Sequence, residues 1–333
     1  MLAQPLPAVL PYRVSMAARK KAGRLKCGNT GAPAGLAFAF GCLLAACIFL
    51  LPVPLQAASV QERAAALQAH YAQLRPRLES NQFGRPLQLE SVESKSRVQG
   101  DVHALLDHPI ALLNASLSRP EAWCDVLVLH INVKYCRVHG SQEAPRLRMK
   151  VGRKEYQDLP RADGMDFSFR LLAAGPNYFE AQLDADEGPL GTRDYSIVLS
   201  AVPVGRQQVF LNLSYSYGFG ALGSMAMAGY LNTRGRDKVG FSSVAQADGQ
   251  AQLVKGFRGL VERNAMRYYL AIDAYLDAQT LPPLQRQEAR LLRWFRATEQ
   301  YPRQLHEMDE EDYLDIKRRE IERQQRTPPQ SLE

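Results

Sequence analysis

The sequence predicts an α+β protein in which a curved antiparallel sheet is covered by one long helix. Two observations carry this. Between residues 128 and 219 lie six short segments of alternating apolar and polar residues, separated by turns containing Gly, Pro and Asp. The clearest, "RQQVFLNLSYSYGF", sets Val209, Leu211, Leu213, Tyr215 and Tyr217 on one face and Asn212, Ser214 and Ser216 on the other. A sheet with one apolar face and one polar face is antiparallel and needs a cover on its apolar side. The cover follows in "AQLVKGFRGLVERNAMRYYLAIDAYLDA", where Leu253, Val254, Phe257, Leu260, Val261, Asn264, Tyr268, Ile272 and Tyr275 recur with a helical period. At ~1.5 Å per residue this helix is roughly 40 Å long, enough to cross a whole sheet. "LPP" ends it.

The elements before the sheet begin with an unusual leader. Residues 1–57 carry Arg13, Arg19, Lys20, Lys21, Arg24 and Lys26 and no acid, followed by the apolar run "GLAFAFGCLLAACIFLLPVPLQAAS". A basic stretch, an apolar stretch and small residues make an export signal, expected to be cut after Ala57 or Ala58. The apolar run at 35–55 also approaches the ~20 residues of a membrane anchor. Leu44-Ala45-Ala46-Cys47 resembles a lipoprotein box, but apolar residues follow Cys47. Met16 is an alternative start. In each case the basic flank stays inside and the body is exported, which predicts a periplasmic or envelope protein. The leader accounts for nearly all of the net charge of +7, so the body is close to neutral and nucleic acid is not an expected partner.

Export decides how the cysteines read. Cys27, Cys42 and Cys47 belong to the leader, leaving Cys124 and Cys136 in "AWCDVLVLHINVKYC". Two cysteines in an oxidising compartment are expected to form a disulfide. Zinc would need about four ligands, and only His130 and His139 lie nearby, so no metal is expected there.

Residues 59–80 predict a helix opened by the capping box Ser59-x-x-Glu62, with a narrow apolar stripe of Val60, Ala64, Leu67, Tyr71, Leu74 and Leu78. The stripe packs on the main domain or on a partner helix. From residue 87, "LQLESVESKSRVQGDVHALLD" reads as one long or hairpin-like strand, and "HPIALLNASLSRPEAWCDVL" as one or two short helices. After the long helix, residues 281–333 predict a charged helical appendage. Its apolar edge is Leu284, Leu291, Leu292 and Phe295, Asp309 is a candidate cap, and His306, Glu307 and Asp309 are expected to meet water.

This order resembles the START-like superfamily, also called the helix-grip or polyketide-cyclase-like fold. The likeness is carried by "GDVHALLDHPIALLNASLSRPEAWCD", "GPLGTRDYSIVLSAVP", "YLNTRGRDKVGFS" and the helix starting near Gln250. It covers residues 87–279, giving a START-like domain at about 85–280 between an N-terminal helix at 58–84 and the tail. The resemblance implies a sheet wrapped around the last helix with an elongated cavity between them for an apolar molecule. Its lining would come from Tyr195, Ile197, Leu199, Leu213, Tyr215 and Tyr217 on the sheet, and from Phe257, Leu260, Val261, Asn264 and Tyr268 on the helix. A filled core made of the same residues is the alternative. Asn264 stands out, because a buried amide needs partners, either in a ligand or in the protein.

"GFGALGSMAMAGYLNTRGRDKVG" combines glycines, Met225 and Met227 with Arg234, Arg236 and Lys238. It reads as a flap over apolar cargo beside a basic turn able to touch membrane phosphates transiently, or as a packed connection with a solvated turn. Three readings of function follow. The first is an exported domain binding a hydrophobic small molecule or lipid in the cell envelope. The second is an envelope scaffold that docks a protein partner through its terminal helices. The third is a cyclase-like enzyme, for which His103, Asp194 and Tyr217 are the titratable candidates. No Ser-His-Asp or Cys-His set is visible, and no catalytic residue, metal or cofactor is expected. His103, Asp107 and His108 suit a strand end as well as a ligand set, and Arg193-Asp194 reads as a structural charge pair.

Overall fold

The computed structural model describes residues 58–221, 223, 225, 229, 233, 235–245 and 250–326. The leader, with Met16 and Cys47, lies outside the described residues, as do Met227 and Arg234. Among the described residues no helix is long and apolar enough to cross a membrane.

Helix α1 (Val60–Glu79) begins at the expected capping box: the Glu62 amide donates to Ser59 Oγ and the Ser59 amide donates to Glu62 Oε2. A hairpin follows, β1 (Leu87–Glu93) and β2 (Arg97–Leu106), then α2 (Ile110–Leu117) and α3 (Pro120–Leu127). Six strands come next: β3 (Val133–Gly140), β4 (Pro145–Val151), β5 (Asp163–Ala174), β6 (Phe179–Glu187), β7 (Thr192–Val204) and β8 (Gln208–Phe219). A small ribbon of β9 (Ser243–Ala245) and β10 (Ala251–Leu253) leads into α4 (Gly256–Ala278). The chain ends in α5 (Pro283–Glu299), the single turn α6 (Pro302–Leu305) and α7 (Glu310–Arg326).

The eight-stranded sheet runs β1-β2-β8-β7-β6-β5-β4-β3, antiparallel throughout. Pairing β2 with β8 brings the two ends of the strand run together, and α4 lies across β1, β2 and β8. Strand order, two short helices after the first long strand and a closing helix make this a START-like, helix-grip fold. The crossing is close at Gly100 on β2, where a Cβ would sit 3.3 Å from the Val261 carbonyl oxygen and 3.4 Å from Ala265 Cβ. A strand glycine marks such an approach of backbone to backbone.

Three expectations need correction. The long helix starts at Gly256 rather than near Gln250, so Leu253 belongs to β10 and Val254 to the connection. An amphipathic helix of this kind keeps a polar face in water, yet Glu262, Arg263 and Arg267 are as buried as Val261 and Leu270. The reason is the C-terminal segment, which forms a second layer over α4. Leu291, Trp294 and Phe295 of α5 are buried, and Trp294 Nε1 donates to the Arg267 carbonyl at 3.0 Å. Leu284, assigned to the apolar edge, is instead 98% exposed. Cys124 sits on helix α3, within the stretch read as short helices, and the turn at 128–132 separates α3 from β3.

The stripe of α1 is used within the chain. Leu67, Leu74 and Leu78 pack with Tyr178, Val202 and Phe210 on the outer face of the sheet. That face therefore carries apolar side chains between its polar ones, and the stripe is not a free docking surface.

Helix α7 is fastened by buried charge. Lys134 on β3 and Lys317 and Glu320 on α7 have no exposed side-chain surface, and each ammonium lies 2.9 Å from the Glu320 carboxylate. Lys317 also donates to the carbonyls of His130 and Val133 at 3.0 and 2.7 Å, and Lys134 to that of Ile131 at 2.9 Å. Removing one partner of a buried pair strands the other charge and typically costs ~3–5 kcal/mol. Glu320→Gln should therefore destabilise the fold by about that amount in urea unfolding, and a loss under ~1 kcal/mol would contradict this role.

Cys124 and Cys136 are joined, linking α3 to β3. Thiol labelling of the unreduced, denatured body should find neither cysteine free, and reduction should cost roughly 3 kcal/mol for a loop of this length.

Candidate functional site

A cavity of about 770 Å³ opens between the sheet and α4. Because α4 leans on β1, β2 and β8, the space lies on its other side, towards β4 and β5. Alternation along those strands turns Met149, Met165 and Phe167 inward, and β7 and β8 add Tyr195 and Tyr215. Helix α4 supplies Leu260, Asn264 and Tyr268. The rings touch in sequence, with centroids 6.3 Å apart for Tyr195 and Tyr215, 5.3 Å for Tyr215 and Tyr268, and 5.1 Å for Tyr268 and His130.

Burial keeps the phenols protonated. It pushes Tyr195 to about 12, and raises Tyr215 and Tyr268 as well. Tyr195 Oη lies 2.8 Å from Thr192 Oγ1. His130 is held neutral, well below its ordinary value, by burial and then by the cations Arg267 and Lys317. The Asn132 amide donates to His130 Nδ1 at 3.2 Å, which leaves the proton on Nε2, 3.4 Å from Asn264 Oδ1. Arg267 approaches the same oxygen at 3.5 Å, and the Asn264 side chain also hydrogen-bonds Tyr215. Asn264 thus finds its partners within the protein while facing the cavity.

The remaining wall is charged. Lys154 follows β4, Lys238 precedes β9, Arg267 comes from α4 and Glu307 from the loop between α6 and α7. Lys154 Nζ and Lys238 Nζ lie 2.6 and 3.1 Å from Glu307 Oε2, and Arg267 lies 2.7 Å from Oε1. Burial raises the Glu307 carboxyl, but the three cations outweigh it and hold the group below its usual value. Burial depresses Lys154 to about 8, with Glu307 opposing and Arg267 adding to the shift. Arg153, Glu155, Arg161, Asp163 and Arg263 complete this rim.

Of the eleven side chains expected to line a cavity, Tyr195, Tyr215, Leu260, Asn264 and Tyr268 do so. Ile197, Leu199, Leu213, Tyr217 and Val261 do not line it and are packed into the core. Phe257 stacks on Phe219 at 4.4 Å, away from the cavity. The inward rows of β7 and β8 are shared between core and cavity, since α4 covers one part closely and leaves the other open. Sequence reasoning missed His130, Met149, Met165, Phe167, Lys154 and Glu307. Alternation in "RLRMKV" and "MDFSF" could have found the methionines and the phenylalanine. Glu307 was expected in water but is only 9% exposed on its side chain, whereas His306 and Asp309 are at the surface.

The three titratable candidates do not converge. His103 faces outward beneath α1, its ring 4.6 Å from His70, Asp194 is exposed beside Arg193, and the Tyr217 hydroxyl is buried without a partner among the described residues. His108 groups with Asp273 and Asp277, but Arg85 already meets Asp273 at 2.6 Å and Arg293 stands 3.8 Å from Asp277. In the glycine-rich segment Met225 is 72% exposed, Arg236 is exposed and Lys238 belongs to the cavity wall.

No family model matches the chain, and no curated protein matches it. Solved structures do align. A crystal structure of a protein from Thermus thermophilus does so at 10% identity, covering 55% of this chain and 99% of that one, with a TM-score of 0.36. The Zhui aromatase/cyclase of a Streptomyces species aligns at 11% identity over 65% of this chain and 96% of its own, with a TM-score of 0.29. A START superfamily protein of Mycobacterium smegmatis aligns at 14% identity over 42% and 92%, with a TM-score of 0.28.

The Lys154 amine provides a test of the site. Its charged form is disfavoured in the folded protein between pH about 8 and the ordinary lysine value of 10.5. The unfolded chain binds the extra proton there, so this residue's cost to stability fades as pH rises through that window. Competitive acylation read by mass spectrometry should give Lys154 an inflection near 8. An ordinary lysine profile would contradict the described burial.

Proposed function

We propose that this protein is an exported, START-like ligand-binding domain that sequesters a hydrophobic small molecule in the cell envelope. The observation that carries the reading is the ≈ 770 Å³ cavity between sheet and α4, with an apolar and aromatic floor facing a charged wall. Its size falls within the roughly 300–1,000 Å³ of small-molecule sites, and its floor of Met149, Met165, Phe167 and tyrosines is of the apolar kind such sites use. Sequestration would draw on burial of apolar ligand surface, about 25 cal/mol per Å². Export is supported by the basic-then-apolar leader and by a disulfide in the body. The scaffold alternative loses one support, because the α1 stripe is already packed on the sheet.

The test is mass spectrometry of an organic extract from the protein purified gently from the envelope fraction of its host. A stoichiometric apolar molecule absent from a control protein is the expected result. Recovery from the cytosol would count against export. Leu260→Trp, which fills the cavity, should weaken binding of the apolar dye N-phenyl-1-naphthylamine at least tenfold while the protein stays folded. Unchanged dye binding would remove the cavity from the argument.

A further inference from the structure

The cavity lining has two chemically different parts, and the charged part carries more cations than carboxylates. Lys154 and Lys238 share one oxygen of Glu307, whose other oxygen already meets Arg267. Among the described residues no other carboxylate lies within ion-pair distance of Lys154 or Lys238. Both lysines are partly exposed, and both line the cavity. Cations gathered in a partly desolvated wall repel one another more strongly than in water. The depressed Lys154 amine reflects that burial and its cationic neighbours. Lys238 also donates to the His306 carbonyl at 2.9 Å, but a further negative group entering the wall would offset the repulsion among its cations. The apolar part of the lining, Met149, Met165 and Phe167 with the Tyr215 ring, offers no charge.

Resting on the ligand-binding reading above, we infer that the cargo is an amphiphile with an anionic head. Its carboxylate or phosphate sits against Lys154 and Lys238, and its apolar tail runs over the methionine and aromatic side chains. Glu307 acts as the template that gathers the cations. It is supplied by the loop between α6 and α7, outside the sheet and its gripped helix, so the C-terminal segment contributes the head-group wall.

The test uses displacement of N-phenyl-1-naphthylamine by hexadecanoate, hexadecyl phosphate and hexadecanol, which share a tail and differ in the head. The variant Lys154→Gln/Lys238→Gln keeps the Arg267–Glu307 pair and removes the excess charge. The inference requires that the variant bind the dye and hexadecanol within twofold of the unaltered protein. It also requires at least tenfold weaker binding of one anion or both, and the anion that suffers more identifies the head group. Equal losses for anions and alcohol, or no loss for either anion, would overturn the anionic head while leaving the apolar cavity intact. Failure of the unaltered protein to bind the dye and all three amphiphiles would overturn both readings.

Discussion

A helix covered on two sides has few places to put a charge unless its neighbours answer it, and α4 carries three buried charges, Glu262, Arg263 and Arg267, beside the half-buried Asp273. Glu262 accepts from the amides of Phe241 and Ser242 at 2.6 and 2.9 Å and from the Ser91 hydroxyl at 2.5 Å. Arg263 donates to the Val239 carbonyl at 3.1 Å, Arg267 meets Glu307, and Asp273 meets Arg85. Together these answers fix four parts of the chain against α4: the connection before β9, the hairpin β1–β2, the loop after α6 and the turn before β1. Leaving any of these groups unpaired would cost more than a typical single hydrogen bond contributes. The arrangement of the elements around the helix follows from that requirement. Gly240 shows how tight it is, since a Cβ there would collide with Glu262 Oε2 and lie 3.0 Å from Gly259 Cα.

The cavity is a by-product of how α4 sits on the sheet. It crosses β2 at Gly100 and packs its small and aliphatic residues there, Val261 and Ala265 among them. The far strands β4 and β5 are left facing the open space with methionines and one phenylalanine, and β7 and β8 add a tyrosine each. Large flexible or flat side chains suit such a surface, because they pack against one another and still present area to a ligand. The tyrosine hydroxyls add hydrogen-bonding capacity without charge.

Much of this was legible in the sequence. The alternation in the strands, the Ser59-x-x-Glu62 box and the pair Cys124 and Cys136 all act locally, and local patterns survive being read one segment at a time. Five lining residues were found because they lie on the faces turned towards each other across the cavity. The rest depended on where elements meet. Lys317, Glu320 and Glu307 belong to stretches whose charge ordinarily signals a solvated surface, and only the folded chain brings the first two to Lys134 and the third to Arg267. Trp294 in the middle of "RLLRWFRATE" was the available hint that the tail is a layer and not an appendage. Nothing local distinguishes Glu307 from its exposed neighbours, His306 and Asp309.

The position of Glu307 also bears on where this protein can be cut. Fold topology alone would place the end of the functional unit after α4, near residue 280. A chain ended there would lose Trp294, which covers the Arg267 carbonyl, and Glu307, which faces its guanidinium. Its longest helix would then offer Arg267 and the apolar side chains now covered by α5 to water. Such a fragment would be recovered as aggregate more readily than as a smaller working domain, although every strand of the sheet would still be present. In this protein the boundary of the recognisable fold and the boundary of the folding unit are different residues.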